Sequence, residues 1–135
     1  LYVVRSELEG LAARLAARHA TIEEKRVLQD MVDDDYKIVD DPNALSRANR
    51  RFHKQIHLAS HNRFLVQQLD LVHQSMALMA TTSLAADGRG EVALAEHQQI
   101  VDAIMNGHED KADECLRQHI SIAFSTRLKL LAESV

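Results

Sequence analysis

Three histidines have both the residue type and the position needed to bind a metal ion. His53, His97 and His119 each lie on the apolar side of a different predicted helix, and Asn49 precedes His53 by one helical turn. These placements follow from a rotation of roughly 100° per residue around a helix. A buried imidazole without a partner costs on the order of 1–3 kcal/mol. Three inward imidazoles are therefore expected to share a compensating partner, and a metal ion would be one.

The alternative is that each of these histidines is an ordinary hydrogen-bonded core residue. The chain has eight histidines, so some face inward by chance, and a single inward histidine is more often hydrogen-bonded than metal-bound. Three central placements on three helices favour the metal site. His57 and His61 continue the four-residue spacing from His53, but their directions rotate away from the apolar stripe. We interpret both as surface or helix-cap residues.

The predicted metal ligands are three imidazole nitrogens and one side-chain oxygen. Asn49 and His53 stand at positions i and i+4, so their side chains lie on one helical face. Nitrogen and oxygen ligands without a thiolate suit a divalent ion, and we expect zinc, with nickel, manganese or iron as alternatives. Four protein ligands around an ion that accepts six leave positions for water or for a small oxygen-rich molecule.

About six amphipathic helices position these residues. The first runs to about His19, and Thr21 with Glu24 forms the capping-box pattern that begins the second. The other four are predicted over about 44–60, 63–84, 91–106 and 109–133, with a loop at 85–90 and a helix-ending Gly107. Short connections and the absence of an internal repeat predict a single domain over residues 1–135. Its expected fold is an all-α antiparallel bundle with a central pocket.

The composition agrees with this fold class and restricts the function. One proline and four glycines in 135 residues leave few helix breaks, and the single cysteine, Cys115, fits a small core residue in a reducing cytosol. No stretch approaches the roughly 18–20 apolar residues of a membrane span, and no signal peptide opens the chain. We therefore expect a cytoplasmic protein without membrane contact. The net charge of −4 argues against nucleic-acid binding by this chain itself.

Several short motifs occur in a fixed order along the chain. They are Val4-Arg5-x-x-Leu8-Glu9 followed by Ala12, Ala13, Ala16 and Ala17; Asn49-x-x-Phe52-His53-x-x-Ile56; Ala59-Ser60-His61-Asn62; Glu96-His97-x-x-Ile100-x-x-Ala103-Ile104-x-x-Gly107; and Ala112 to Arg117-x-His119. Together they resemble the C-terminal effector-binding domain, called FCD, of GntR-type transcription regulators of the FadR subfamily. The resemblance covers essentially the whole chain.

The resemblance implies metal ligands at Asn49, His53, His97 and His119, the same four residues that periodicity selects. The family often has Asp at the first position, where this chain has Asn49. A neutral amide binds a metal more weakly and leaves the site one charge more positive, which would favour an anionic effector. The position of His61 is one where the family usually has a helix-ending glycine.

The resemblance also implies partners. A winged helix-turn-helix domain would precede this chain, which begins without an initiator methionine and looks like a fragment. Operator DNA would be bound through that absent domain by a homodimer, and small organic acids touching the metal would be the effectors. Arg5 matches a family arginine commonly turned toward the pocket, and a guanidinium holds a carboxylate bidentately; the alternative is a surface arginine or one paired with Glu9. His73 is expected to line the effector pocket without binding metal.

An enzyme is the rival class, either a metal-dependent hydrolase or another helical-bundle metalloenzyme. A di-iron bundle needs Glu-x-x-His motifs, and no histidine here has Glu three residues before it. A zinc hydrolase needs an acid–base residue beside an open coordination position. Glu96 precedes His97, but we interpret it as a solvated helix carboxylate. A purely structural dimerisation module would leave the inward histidines unexplained, so the sequence predicts a ligand-sensing domain that is not an enzyme.

Overall fold

Six α-helices account for most of the chain in a computed structural model, which describes residues 1–77 and 83–134. They are α1 (Tyr2–His19), α2 (Ile22–Asp35), α3 (Pro42–Ala59), α4 (Arg63–Met76), α5 (Arg89–Met105) and α6 (Glu109–Glu133). Two short 3₁₀ turns, Tyr36–Ile38 and Ser83–Ala85, complete the regular structure of the described residues, which contain no strand. The prediction of an all-α bundle of about six helices is confirmed.

Helices α2 and α3 begin where local chemistry favours a start. The Thr21 hydroxyl accepts a hydrogen bond from the Glu24 amide at 3.1 Å, and the Glu24 carboxylate accepts one from the Thr21 amide at 2.9 Å. This pair is the predicted capping box. Helix α3 begins at Pro42, and the Asp41 carboxylate accepts from the amide of Ala44 at 3.1 Å. Proline suits a first helical position because the amide it lacks would have no partner there.

Helix α1 lies at the centre of the bundle because its buried face is made of small residues. Ala12, Ala13 and Ala16 are fully buried, and α1 packs most extensively against α6 and also contacts α3, α4 and α5. A Cβ atom added at Gly10 would overlap the side chains of Asp113 and Arg117 on α6. This close packing carries Glu9, one residue before Gly10, into the interior.

Helix α4 is shorter than its sequence pattern predicts. The predicted helix continues to Leu84, but α4 ends at Met76, and Leu84 lies in the second 3₁₀ turn, buried in a small cluster with Leu45 and Leu94. The prediction that the fourth helix extends to Leu84 was therefore wrong. Met79, a member of the predicted apolar stripe, falls among residues 78–82, outside the described part of the chain.

Helix α5 begins earlier than predicted, at Arg89 instead of Glu91. The preceding Gly88 has φ 71°, a left-handed conformation that glycine adopts without steric cost. The earlier start places Arg89 on the helix, two turns before Glu96. Neither this helix nor any other in the described ranges combines the length and apolarity needed to cross a membrane.

Candidate metal centre and its cavity

The three predicted histidines come together in the interior. His53 on α3, His97 on α5 and His119 on α6 are 1%, 1% and 4% exposed, and one ring nitrogen from each lies within 4.8 Å of the other two. The Nε2 atoms of His97 and His119 are 3.3 Å apart. The ring of His97 stacks on that of Phe52 at a centroid distance of 4.2 Å, which fixes its plane. We call His53, His97 and His119 the three-histidine cluster.

Two carboxylates fix the orientation of two of these rings. Nδ1 of His53 lies 2.7 Å from Oε2 of Glu9, and Nδ1 of His119 lies 2.6 Å from Oε1 of Glu96. An ionised carboxylate only accepts, so each Nδ1 carries the proton and donates. The Nε2 atoms of His53 and His119 therefore keep their lone pairs. Carboxylate–histidine pairs of this kind orient metal-binding imidazoles and raise their basicity.

Burial keeps the imidazoles neutral. Loss of hydration lowers the pKa of His53 to about 4, although the nearby charge of Glu9 partly opposes this. Burial likewise holds the pKa of His97 well below its usual range, and the positive charges that His119 and His53 would carry lower it further. The pKa of His119 is also lowered by burial, with a partial offset from Glu96. Neutral imidazoles bind a metal ion without first releasing a proton.

The donor chemistry of the cluster fits a divalent ion. Nε2 of His53 is buried and has no hydrogen-bond partner among the described residues. Two nitrogens bound to one ion at about 2.0–2.1 Å lie about 3.0 Å apart in octahedral geometry and about 3.4 Å apart in tetrahedral geometry. The separation of 3.3 Å between Nε2 of His97 and Nε2 of His119 is close to this range. An ion would also give the unpartnered nitrogen of His53 a partner.

A cavity of about 540 Å³ reaches the cluster at His119, a volume in the usual range for small-molecule sites. The other three predicted site residues, Asn49, Arg5 and His73, also line it. Asn49 is half-buried and belongs to α3 one turn before His53. The structure thus brings all six predicted residues to one region of the bundle.

Four arginines line the cavity wall. They are Arg5, Arg50, Arg89 and Arg127. The Arg5 side chain is almost buried, its Nη2 lies 4.0 Å from Oε2 of Glu9, and its Nε has no partner among the described residues. Burial lowers the pKa of Arg5, and Glu9 partly offsets this, but the guanidinium stays charged. Arg5 is therefore neither a surface arginine nor fully satisfied by Glu9.

Glu96 belongs to the site, and its interpretation as a solvated carboxylate was wrong. Its side chain is 14% exposed, and besides His119 it binds Arg89, whose Nη1 and Nη2 lie 2.9 and 2.8 Å from its two oxygens. Burial alone would raise the pKa of Glu96, but the hydrogen bonds from His119 and Arg89 lower it overall. Arg89 was missed because the helix was predicted to begin at Glu91; a start at Arg89 puts the two residues seven positions apart on one face.

His57 was also misinterpreted, because it is buried and not on the surface. Its Nε2 contacts Oε1 of Glu9, and Nε2 of His73 lies 3.3 Å from the same oxygen. Ligand atoms of Glu9, His57 and His73 lie within 4.8 Å of one another; we call these three residues the glutamate cluster. Helices α1, α2 and α4 all pack against α3. Because three helices cover α3, the buried surface of α3 is wider than its apolar stripe and includes His57.

Glu9 is the centre of this arrangement, and sequence reasoning considered it only as a partner of Arg5. It is fully buried. Burial alone would raise its pKa, but the electrostatic interaction with His53 and hydrogen bonds from His53, His57 and His73 hold the pKa well below its usual range. The sequence did contain an indication that Glu9 is buried, since Glu9 shares a helical face with the alanines Ala12, Ala13 and Ala16.

His61 agrees with its interpretation as a helix-end residue. It follows α3 with φ 55°, in the left-handed region that favours glycine, and its side chain is 49% exposed. Nε2 of His61 lies 2.7 Å from a carboxylate oxygen of Glu24. This histidine is therefore outside both clusters.

Relatives of the chain are regulators of transcription. It is 27% identical over 128 residues to "Uncharacterized HTH-type transcriptional regulator YdhC" of Bacillus subtilis (strain 168), an alignment that covers 93% of this chain and 55% of the relative. It is 29% identical over 126 residues to "Putative L-lactate dehydrogenase operon regulatory protein" of Escherichia coli (strain K12), covering 90% of this chain and 48% of the relative. The chain thus spans about half the length of these curated relatives, and their names favour a regulatory domain over an enzyme, as predicted.

A solved structure and a family model agree with this result. The fold matches that of E. coli McbR/YncC with a TM-score of 0.76 at 14% sequence identity, over 95% of this chain and 62% of that one. Residues 1–121 match the model described as FCD domain, in agreement with the resemblance noted in the sequence. The chain therefore belongs to the FCD domain family, found in regulators of transcription.

Proposed function

We propose that this chain is the sensor domain of a bacterial GntR-type regulator of the FadR subfamily and that it binds a divalent metal ion and a small organic acid. The metal ligands are His53, His97 and His119 with Asn49, and zinc is the expected ion, with nickel, manganese or iron as alternatives. The observation that carries the proposal is that three neutral imidazoles converge beside a cavity lined by four arginines. When bound, the ion supplies open positions for oxygen donors.

Arg5 is the residue proposed to hold the carboxylate of the acid. It lies on the cavity wall, its Nε is unpartnered among the described residues, and a guanidinium offers two parallel donors to a carboxylate. Arg50, Arg89 and Arg127 lie on the same wall, although Glu96 offsets the charge of Arg89. The neutral Asn49 leaves the site one charge more positive than an aspartate would. His73, which lines the same cavity and lies near Oε1 of Glu9 while Arg5 lies near Oε2, is also proposed to contact the acid.

A panel of hydroxy, keto and sugar acids tests this proposal by thermal shift. The panel includes L-lactate, because one relative is named as the putative regulator of an L-lactate dehydrogenase operon. At least one acid is expected to raise the melting temperature of zinc-loaded protein, and to do so less after chelation. Arg5→Ala should lower the affinity for this acid by about 10- to 100-fold, the usual value of a hydrogen bond to a charged group. Replacement of the exposed Arg18 on the same helix by alanine should leave the affinity unchanged.

Three results would contradict parts of the proposal. If no acid shifts the melting temperature, the sensor function fails. If the shift is equal after chelation, the metal has no part in binding the acid. Conversion of an acid to product by the zinc-loaded protein would favour the metal-dependent hydrolase or another metalloenzyme instead.

We also propose that the acid alters operator binding by a homodimer in the cytoplasm. The DNA would be bound by a winged helix-turn-helix domain preceding α1, so an acid held by Arg5 would act on the helix nearest that domain. The proposed dimer surface is one face of α6 that carries three exposed apolar residues, Phe124, Leu128 and Leu131. In protein that carries the DNA-binding domain, the acid should change operator affinity by about 1–3 kcal/mol, and sedimentation should give a dimer. Unchanged operator affinity with the acid bound would contradict the mechanism.

A further inference from the structure

The glutamate cluster has the composition of a metal site of its own. Glu9 comes from α1, His57 from α3 and His73 from α4, and none of them is among the predicted metal ligands. His73 was expected to line the pocket without binding metal, and a metal on its Nε2 would take the place of a direct contact with the acid. We propose that this cluster binds a second divalent metal ion, with Oε1 of Glu9 and Nε2 of His57 and His73 as ligands. The proposal does not depend on occupation of the three-histidine cluster.

The geometry brings three ligand atoms of the right kind together. Nε2 of His57 contacts Oε1 of Glu9, Nε2 of His73 lies 3.3 Å from that oxygen, and the three ligand atoms lie within 4.8 Å of one another. The rings of His57 and His73 meet edge to face, with centroids 5.1 Å apart. Two imidazoles and one carboxylate are a common ligand set for divalent iron and also suit zinc and manganese.

An ion has a route to this site. Glu9 and His57 are buried, but the His73 side chain is 22% exposed and lines the cavity of about 540 Å³. Three protein ligands would leave coordination positions open. The second ion would therefore face the same cavity as His119 and Arg5.

Hydrogen bonding alone is the competing explanation of the cluster. In that case the single buried carboxylate of Glu9 accepts from His53, His57 and His73 together. Nδ1 of His57 remains buried without a partner among the described residues, so hydrogen bonding does not fully satisfy this ring. Arg5 lies 4.0 Å from Oε2 of Glu9 and repels a cation, so we expect the second ion to bind more weakly than the first.

Glu9 would couple the two sites. Its Oε2 accepts a hydrogen bond from Nδ1 of His53, a residue of the three-histidine cluster, while Oε1 faces His57 and His73. An ion on Oε1 withdraws charge from the carboxylate and weakens the hydrogen bond that orients His53. Loss of a carboxylate that orients a metal-binding histidine lowers metal affinity by about 10- to 100-fold. An ion bound at the glutamate cluster should therefore lower the metal affinity of the three-histidine cluster by up to that factor.

Zinc stoichiometry tests the proposal. Full-length protein stripped with a chelator is dialysed to equilibrium against Zn²⁺, and bound zinc is measured by elemental analysis. We expect two zinc ions per chain in the parent and one in His57→Ala, His73→Ala and His97→Ala. The double variant His57→Ala/His97→Ala should bind none, and His19→Ala, which removes an exposed histidine, should bind two. His73 is only half-buried, so its replacement keeps the test valid if His57→Ala does not fold, as judged by circular dichroism.

Each outcome decides between the sites. Two ions in both His57→Ala and His73→Ala, or one ion in the parent that these variants retain, would overturn the proposal. One ion in the parent that is lost in His73→Ala but kept in His97→Ala would support it and contradict the metal ligands in the proposed function. Substitution of Co²⁺ adds an independent readout, because its visible spectrum in His97→Ala should show the ligand field of the second site alone.

Discussion

The three-histidine cluster and the glutamate cluster use their carboxylates in different ways. In the first, Glu9 and Glu96 stand behind the imidazoles and accept from Nδ1 of His53 and His119. In the second, Glu9 stands between the imidazoles, with the Nε2 atoms of His57 and His73 directed at one oxygen. The same residue type therefore orients a ligand in one cluster and is itself a proposed ligand in the other. The role of the carboxylate depends on which nitrogen of the imidazole ring it contacts, Nδ1 in the first cluster and Nε2 in the second.

Loss of Glu9 should produce the largest effect, because this residue serves both clusters. In Glu9→Ala, His53, His57 and His73 lose their common acceptor and the buried Arg5 loses its nearest negative charge. Removing one partner of a buried charged network costs about 3–5 kcal/mol, and urea unfolding of the metal-free protein should show this loss. The exposed Glu7→Ala on the same helix is the control and should lose much less. Equal losses in the two variants would show that Glu9 is not the centre of the network.

Acid should destabilise the metal-free protein through the three-histidine cluster. Burial lowers the pKa of His53 to about 4, whereas an unfolded histidine titrates near 6.5. Between these values the unfolded chain binds a proton that the folded chain does not, so the free energy of unfolding falls as the pH falls from 6.5 to 4. The loss from His53 is on the order of 3 kcal/mol, and the lowered pKa of His97 acts in the same direction.

Urea unfolding at a series of pH values measures this dependence. His53→Gln, which does not titrate, should have a shallower slope between pH 6.5 and 4 than the parent. A parent profile that is flat over this interval would mean that the buried rings are not held neutral.

Glu96→Gln should weaken metal binding at the three-histidine cluster without affecting the glutamate cluster. The neutral amide is a poorer acceptor for Nδ1 of His119, and loss of such a carboxylate lowers metal affinity by about 10- to 100-fold. Zinc titration calorimetry measures the change, and the exposed Glu91→Gln on the same helix should leave affinity unaltered. Equal weakening at both clusters would show that they are not separable, and no weakening would remove Glu96 from the metal centre.

His61 should give the smallest effect, because it follows the spacing of the cluster histidines but lies outside both clusters. Its φ of 55° costs an L-residue roughly 1–2 kcal/mol, which glycine avoids. We expect His61→Gly to raise the free energy of unfolding by up to about 1 kcal/mol, less a small loss from the exposed contact with Glu24. His61→Ala keeps the backbone cost and should not be stabilised. A glycine variant no more stable than the alanine variant would contradict the strain at this residue.

Periodicity predicted those parts of the fold and site that depend on short-range order. Thr21 and Glu24 marked a helix start because capping is local chemistry. His53, His97 and His119 were found because each lies on the apolar side of its own helix, and the apolar side of a helix is visible in the sequence without knowledge of the neighbouring helices. The far end of the predicted fourth helix was wrong, because Leu84 is buried by contact with Leu45 and Leu94, which are distant along the chain.

The sequence by itself determined an all-α bundle and three inward histidines, since each of these features is encoded within single helices. Arg5 was assigned to the pocket through the family resemblance. Only the tertiary structure decided that Glu9 joins His57 and His73, and that Glu96 joins His119 and Arg89. His57 lies away from the stripe of α3 and is buried because α1, α2 and α4 cover more of that helix than the stripe. Which carboxylate meets which imidazole depends on how helices pack together, and a periodic pattern along one helix carries no information about that packing.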